Sequence, residues 1–190
     1  MKVIEFVGMA RAGKTTQVNL LKSYLESKGF AVTVLTDRER ALSLHTPPSE
    51  GLAYTLAFFV AAIETYYESL PKADYLLIDR GFYDATVWAD VHFKLGDISQ
   101  EECIALQTTF KPLTKLVYKT FYFKVPINVA LARHEKTEHQ PVDDVAMNNT
   151  WLKALEDSYE ENLPTFINST TIDGMQDSDT VAQKIIQEIE

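Results

Sequence analysis

The sequence predicts an α/β fold in which a five-stranded parallel sheet carries helices on both faces. Three observations predict it. Short apolar runs of strand type alternate with helix-spaced segments along the 190 residues. The runs are apolar almost throughout, as in strands covered on both sides. The first of them leads at once into a glycine-punctuated loop and a helix. Strand–helix–strand crossovers of this kind are right-handed, and ligands of such sheets bind at the carboxyl ends of the strands. No repeat or long linker divides the chain, so one domain over 1–190 is expected.

The elements follow in order. Val3, Ile4, Phe6 and Val7 make the first strand, within 2–7. Lys14 to Lys28 has helical spacing, with Val18, Leu21 and Leu25 on one face, and Gly29 stops it. Phe30 to Thr36 is a second strand, rich in β-branched residues. Arg38 to Glu50, with Pro47 and Pro48, reads as a loop. Gly51 to Leu70 is an apolar helix ended by Pro71, and Tyr75 to Ile78 a third buried strand. Phe82 to Leu95 and Ser99 to Phe110 are helical, with Gly96 between them. Lys115 to Val125 contains the fourth strand. Ile127 to Lys136 and Asp143 to Glu161 are helices separated by a polar joint at His139 to Val142. Thr165 to Ile172 is the fifth strand, and Ser178 to Ile189 the closing helix.

Composition narrows the function classes. A net charge of −9 argues against a broad nucleic-acid-binding surface. Cys103 is the one cysteine, which fits a reducing compartment and a packing role. No cationic segment precedes an apolar run at the start, and Leu52 to Ile63 is too short and interrupted to span a bilayer. A cytoplasmic protein with no membrane partner is expected. His45, His92, His134 and His139 show no metal-ligand spacing, so no zinc site is expected.

Gly8-Met9-Ala10-Arg11-Ala12-Gly13-Lys14-Thr15 matches G-x-x-x-x-G-K-[ST] at every fixed position, between a strand and a helix. The glycines let successive backbone N–H groups converge on phosphate oxygens, and the helix N-terminus adds positive potential. Lys14 is expected to reach the β- and γ-phosphates of ATP, and Thr15 to ligate Mg²⁺. Thr16 is a donor for the α-phosphate. Arg11, inside the loop, is placed to lie beside the transferring phosphoryl group; an exposed loop arginine is the alternative.

Asp79-Arg80 closes the third strand. A carboxylate there can hold Mg²⁺ beside the loop, and Arg80 can grip an anionic acceptor group; a surface ion pair is the alternative. Arg38-Glu39-Arg40 follows the second strand, so Arg38 and Arg40 are candidates for an acceptor phosphate; a solvated charged turn is the alternative. Phe58 and Phe59 are core residues or stack on an acceptor base. Tyr83, in the next helix's first turn, is a further acceptor-side candidate. Arg133-His134-Glu135-Lys136 and the joint after it suggest a short lid over about 133–145, excluding water from the reaction; a charged helix end facing solvent is the alternative.

These features resemble the thymidylate kinase-like branch of the P-loop nucleotide kinases, over nearly the whole chain. Phe6-Val7-Gly8 through Thr16-Gln17 is similar to the family's opening segment, Arg38-Glu39 to its acceptor-phosphate loop and Asp79-Arg80 to its Asp-Arg motif. Pro126 through Arg133 to Asn162 resembles its lid-flanking helices, and Ile172-Asp173-Gly174 its last strand and the loop beside adenine. Arginine in the phosphate loop is similar to the subgroup that carries its catalytic arginine there. Ala10 and Val7 replace the usual acids, and neither Ala62 nor Ile63 supplies the usual arginine of the acceptor-base helix.

The resemblance implies a P-loop kinase fold, ATP as donor, Mg²⁺, and a small nucleotide acceptor, dTMP first. It assigns catalysis to Lys14, Arg11, Arg80 and Asp79. ATP contacts are assigned to Gly8 through Thr16, Arg133, Asp173 and Gly174. It also implies a homodimer, with 51–70 and 82–110 as candidate interface helices. A deoxynucleoside kinase, with Glu39 or another acid as base, is the enzymatic alternative. A non-catalytic nucleotide-binding switch is the alternative of another class.

Overall fold

The computed structural model describes residues 1–36, 51–136 and 146–190. Five strands form one parallel sheet: β1 (Lys2–Gly8), β2 (Val32–Leu35), β3 (Tyr75–Asp79), β4 (Val117–Lys124) and β5 (Ser169–Asp173). Their order across the sheet is β2-β3-β1-β4-β5. The helices are α1 (Lys14–Ser27), α2 (Gly51–Ser69), α3 (Phe82–Lys94) and α4 (Gln100–Thr114), then α5 (Ile127–Glu135), α6 (Asn149–Asn162) and α7 (Ser178–Gln187). The fold class and all five strands agree with expectation.

β1 lies in the middle, between β3 and β4, which explains its apolar run. Ile4 pairs with Leu77 on one side and Lys119 on the other. Phe6 is fully buried, its ring 5.6 Å from that of Phe121 and 6.0 Å from that of Phe123. The register also aligns the strand ends: Phe6 faces Asp79, and Gly8 faces Phe123. The loop after β1 and the turn after β3 therefore emerge side by side.

Some boundaries differ from expectation, each for a local reason. α6 starts at Asn149, not Asp143, because the Asn148 side chain accepts from the Trp151 N–H and caps the helix there. The fifth strand starts at Ser169, not Thr165: Pro164 opens a 3₁₀ turn, Leu163–Thr165, and Asn168 is left-handed at φ 52°. α4 continues past Phe110 to Thr114. Ser99 and Glu102 form its reciprocal capping box. The loop expected at 38–50 and the joint at 139–142 lie outside the described residues, as do most of the expected lid and the side chain of Phe58. Among the described residues, no helix is long and apolar enough to cross a membrane.

Candidate functional site

Three left-handed residues shape the phosphate loop: Gly8 at φ 120°, Arg11 at 58° and Gly13 at 96°. Gly8 has no alternative, because a Cβ there would lie 2.2 Å from the Phe123 carbonyl oxygen. The Met9 N–H donates to that same oxygen at 3.1 Å, which fastens the loop to β4. Gly13 precedes α1 and offers no side-chain cap, and the first turn has no acidic residue. The helix thus presents its initial N–H groups and positive end to a ligand.

Lys14 is buried, and its Nζ donates to the carbonyls of Gly8 at 3.2 Å and Met9 at 3.0 Å. The lysine therefore folds back across the loop that it is expected to complete. Thr15 Oγ1 donates to Asp79 Oδ2 at 2.5 Å. The two oxygens assigned to Mg²⁺ from the sequence are thus adjacent, although the residues are far apart in the chain. A hydroxyl and a carboxylate are hard oxygen donors that suit this ion.

Arg80 is also left-handed, at φ 68°. Its N–H donates to the Phe6 carbonyl at 2.9 Å, and its guanidinium lies over the Trp88 ring, 5.2 Å from the centroid. A non-glycine residue in this conformation costs about 1 kcal/mol or more and persists only where its surroundings hold it. Glu5 is part of those surroundings. It is the acid inside the apolar first strand, fully buried, and it accepts from the N–H groups of Tyr83 at 3.2 Å and Asp84 at 3.0 Å. Gly81, the residue preceding α3, has no side chain to cap the helix. A Cβ on Gly81 would meet the Glu5 carboxyl at about 3.1 Å. Glu5 therefore caps α3 from another strand and packs under the Asp79-Arg80 turn. Tyr159 OH donates to the buried Asp84 carboxylate alongside, tying in α6.

Burial pushes the Glu5 carboxyl up to about 8, against the pull of the backbone N–H groups, with the nearby Asp84 raising it further. The folded state keeps a proton that the unfolded chain releases near the ordinary value of 4.5. Stability from this group is greatest below that value and falls as pH rises toward 8, by at most about 1.4 kcal/mol per pH unit. Urea denaturation should show Glu5→Gln gaining on the wild type between pH 5 and pH 8. A constant difference across that range would contradict the assignment.

Arg133 reaches across from α5. Its Nη1 donates to the Arg11 carbonyl at 3.1 Å and its Nη2 to the Gly174 carbonyl at 2.9 Å. Gly174 packs so closely that a Cβ would fall 2.6 Å from Val125 Cγ1 and 2.9 Å from the Ala12 carbonyl oxygen. A cavity of about 290 Å³ opens here beside Arg11, Gly13, Thr16, Phe123, Arg133 and Gly174. Of the residues expected on the donor side, Arg11, Ala12, Gly13, Thr16, Arg133 and Gly174 line this space, whereas Gly8 to Ala10, Lys14, Thr15 and Asp173 do not. The Asp173 carboxylate is exposed and accepts from the Met175 N–H at 2.9 Å, shaping the turn.

Phe59 is core, packed on Phe110 at 4.0 Å and Phe82 at 6.3 Å. Tyr83 is buried against Phe166, and its hydroxyl accepts from the Ile167 N–H. Both rings are enclosed by aromatic packing. Arg38 and Arg40 lie outside the described residues. Sequence reasoning missed Glu5 as a cap, although a lone acid in an apolar strand was a usable signal. It also missed that His134 Nδ1 meets Arg11 Nη2 at 3.2 Å; no pattern links residues so far apart.

The sheet order, the glycine-shaped loop and the Thr15–Asp79 pair define a P-loop kinase fold. The family model for deoxynucleoside kinases matches residues 4–190, and the chain belongs to that family. Curated relatives include the thymidylate kinase of Citrifermentans bemidjiense, 33% identical over 144 residues, covering 68% of this chain and 62% of the relative. The thymidylate kinase of Fervidobacterium nodosum is 23% identical over 195 residues, covering 97% and 96%. Among solved structures, deoxyadenosine kinase from M. mycoides with bound dATP superposes with a TM-score of 0.72 at 14% identity, covering 100% of this chain and 99% of that one. The same enzyme with bound dCTP gives 0.70 at 17% identity, covering 98% of each chain.

Proposed function

We propose that the protein transfers the γ-phosphoryl group of ATP, with Mg²⁺, to a nucleoside monophosphate, dTMP being the first acceptor to test. The observation that carries the reading is the convergence of Lys14, Thr15 and Asp79 at the end of β1 and β3, with Arg80 beside them. ATP's phosphates would lie on the loop and the α1 N-terminus, with the base toward the cavity by Arg133 and Gly174. Thr15 and Asp79 would hold Mg²⁺, which shields the phosphate oxygens from the incoming acceptor. Lys14 would exchange its two carbonyl partners for phosphate oxygens. Arg11 and Arg80 would neutralise charge on the transferring group and the acceptor. Positioning and electrostatics supply the rate in such transfers, with little covalent work for the protein.

The relatives named thymidylate kinase support the monophosphate reading. A deoxynucleoside acceptor is the second reading, favoured by the family match over 4–190 and by the absence of an arginine at Ala62 and Ile63. A nucleoside needs a base for its hydroxyl, whereas a monophosphate needs cations. ADP release from ATP-Mg²⁺ should be measured with thymidine, deoxyadenosine, deoxycytidine and their monophosphates. The expected result is stimulation by dTMP well above that by any nucleoside. Stimulation by nucleosides alone selects the second reading. No stimulation by any of them, with ATP still bound, defeats both and favours the nucleotide-binding switch.

A further inference from the structure

Two consecutive residues at the end of α5 hold Arg11 at both its ends. Arg133 donates to the Arg11 main-chain carbonyl at 3.1 Å, and His134 meets the Arg11 guanidinium at 3.2 Å. His134 is buried, so its ring has little freedom to turn away. Arg11 needs such support, because it holds a left-handed φ of 58° without being glycine. A guanidinium can only donate hydrogen bonds. The Nδ1 of His134 must therefore be the acceptor, and the ring must be the neutral tautomer with its proton on Nε2. An arginine is long and rotamer-rich, and fixing it in advance removes an entropy cost from the reaction.

We propose that His134 is a positioning residue that sets the Arg11 guanidinium at the mouth of the donor cavity for phosphoryl transfer. This rests on the reading of Arg11 as a residue that acts on the transferring group. His134 touches neither ATP nor acceptor in this role; it works through Arg11. Its loss should therefore lower kcat and leave the KM for ATP nearly unchanged.

The test is a double-mutant cycle with ATP-Mg²⁺ and whichever of dTMP or thymidine turns over faster. Arg11→Ala should lower kcat by about 10³-fold. His134→Ala should lower it about tenfold, with KM for ATP changed less than about threefold. In the Arg11→Ala background, His134→Ala should have no further effect. His134→Asn, whose amide oxygen can stand where Nδ1 stands, should recover most of the loss. If Arg11→Ala keeps full activity, the reading of Arg11 fails first. If Arg11→Ala is impaired and the His134→Ala loss is absent, or adds fully to it, the proposal alone fails. A readout independent of turnover is the ¹⁵N spectrum of the His134 ring in the full chain. It should show the Nε2–H tautomer; a predominantly Nδ1–H ring overturns the proposal. Thermal melts of each variant confirm that folded protein is compared.

Discussion

Lys14→Ala is expected to lower turnover by about 10³-fold or more while leaving the protein folded. Lys14 is the one cation of the loop whose ammonium sits inside it, on the carbonyls of Gly8 and Met9. Those carbonyls are weak partners for an ammonium compared with phosphate oxygens, whose bonds to it are charge-assisted on both sides. Binding ATP should therefore draw Nζ away from them, and charge developing in the transition state should strengthen the new contacts. Alanine removes that stabilisation. The effect on stability is much smaller. The hydrogen bonds to the Gly8 and Met9 carbonyls are lost, each worth about 1 kcal/mol, and removing a buried cation offsets part of that. Single-turnover kinetics with thermal melts of both proteins checks the expectation. Near-normal turnover in the alanine variant would sink the mechanism.

Much of this donor half was readable from the sequence because its chemistry depends on local order. A loop that wraps phosphate needs its glycines, lysine and hydroxyl at fixed spacings between a strand and a helix, and those spacings survive in one dimension. Asp79 was readable for a related reason: it ends an apolar strand, and β1 and β3 turn out to be neighbours, so their ends meet. Glu5 and His134 act across the sheet and across elements. Their partners, the α3 N-terminus and Arg11, lie far off in the chain, and only the folded geometry joins them. Phe59 could be read from the sequence as core or as a base-stacking residue, and Tyr83 as an acceptor-side candidate; the neighbours that bury them, Phe110 and Phe166, come from distant segments.

The sharpest test of the loop's architecture compares its two glycines. Gly8→Ala is expected to cost about 3 kcal/mol or more, and Gly13→Ala about 1–2 kcal/mol. Both have positive φ, 120° and 96°, so both substitutions are strained by conformation. Only Gly8 is also crowded: its Cβ would fall 2.2 Å from the Phe123 oxygen and 2.8 Å from the Phe123 nitrogen, whereas at Gly13 nothing lies within 4 Å. The atoms it would meet are backbone in the middle of the sheet, and they cannot swing aside. Relief requires parting β1 from β4 where Gly8 pairs with Phe123, and that breaks the Met9 N–H bond to Phe123. For a chain of this length, 3 kcal/mol corresponds to a fall in Tm of about 6–12 °C. ATP affinity should drop with it, because the same parting tilts the N–H groups that follow. Gly13→Ala should lower Tm by about 2–8 °C, and its loss should appear mainly in ATP binding. Equal losses of Tm in the two variants would mean that conformation alone, and not the close approach of β4, selects glycine at the start of the loop.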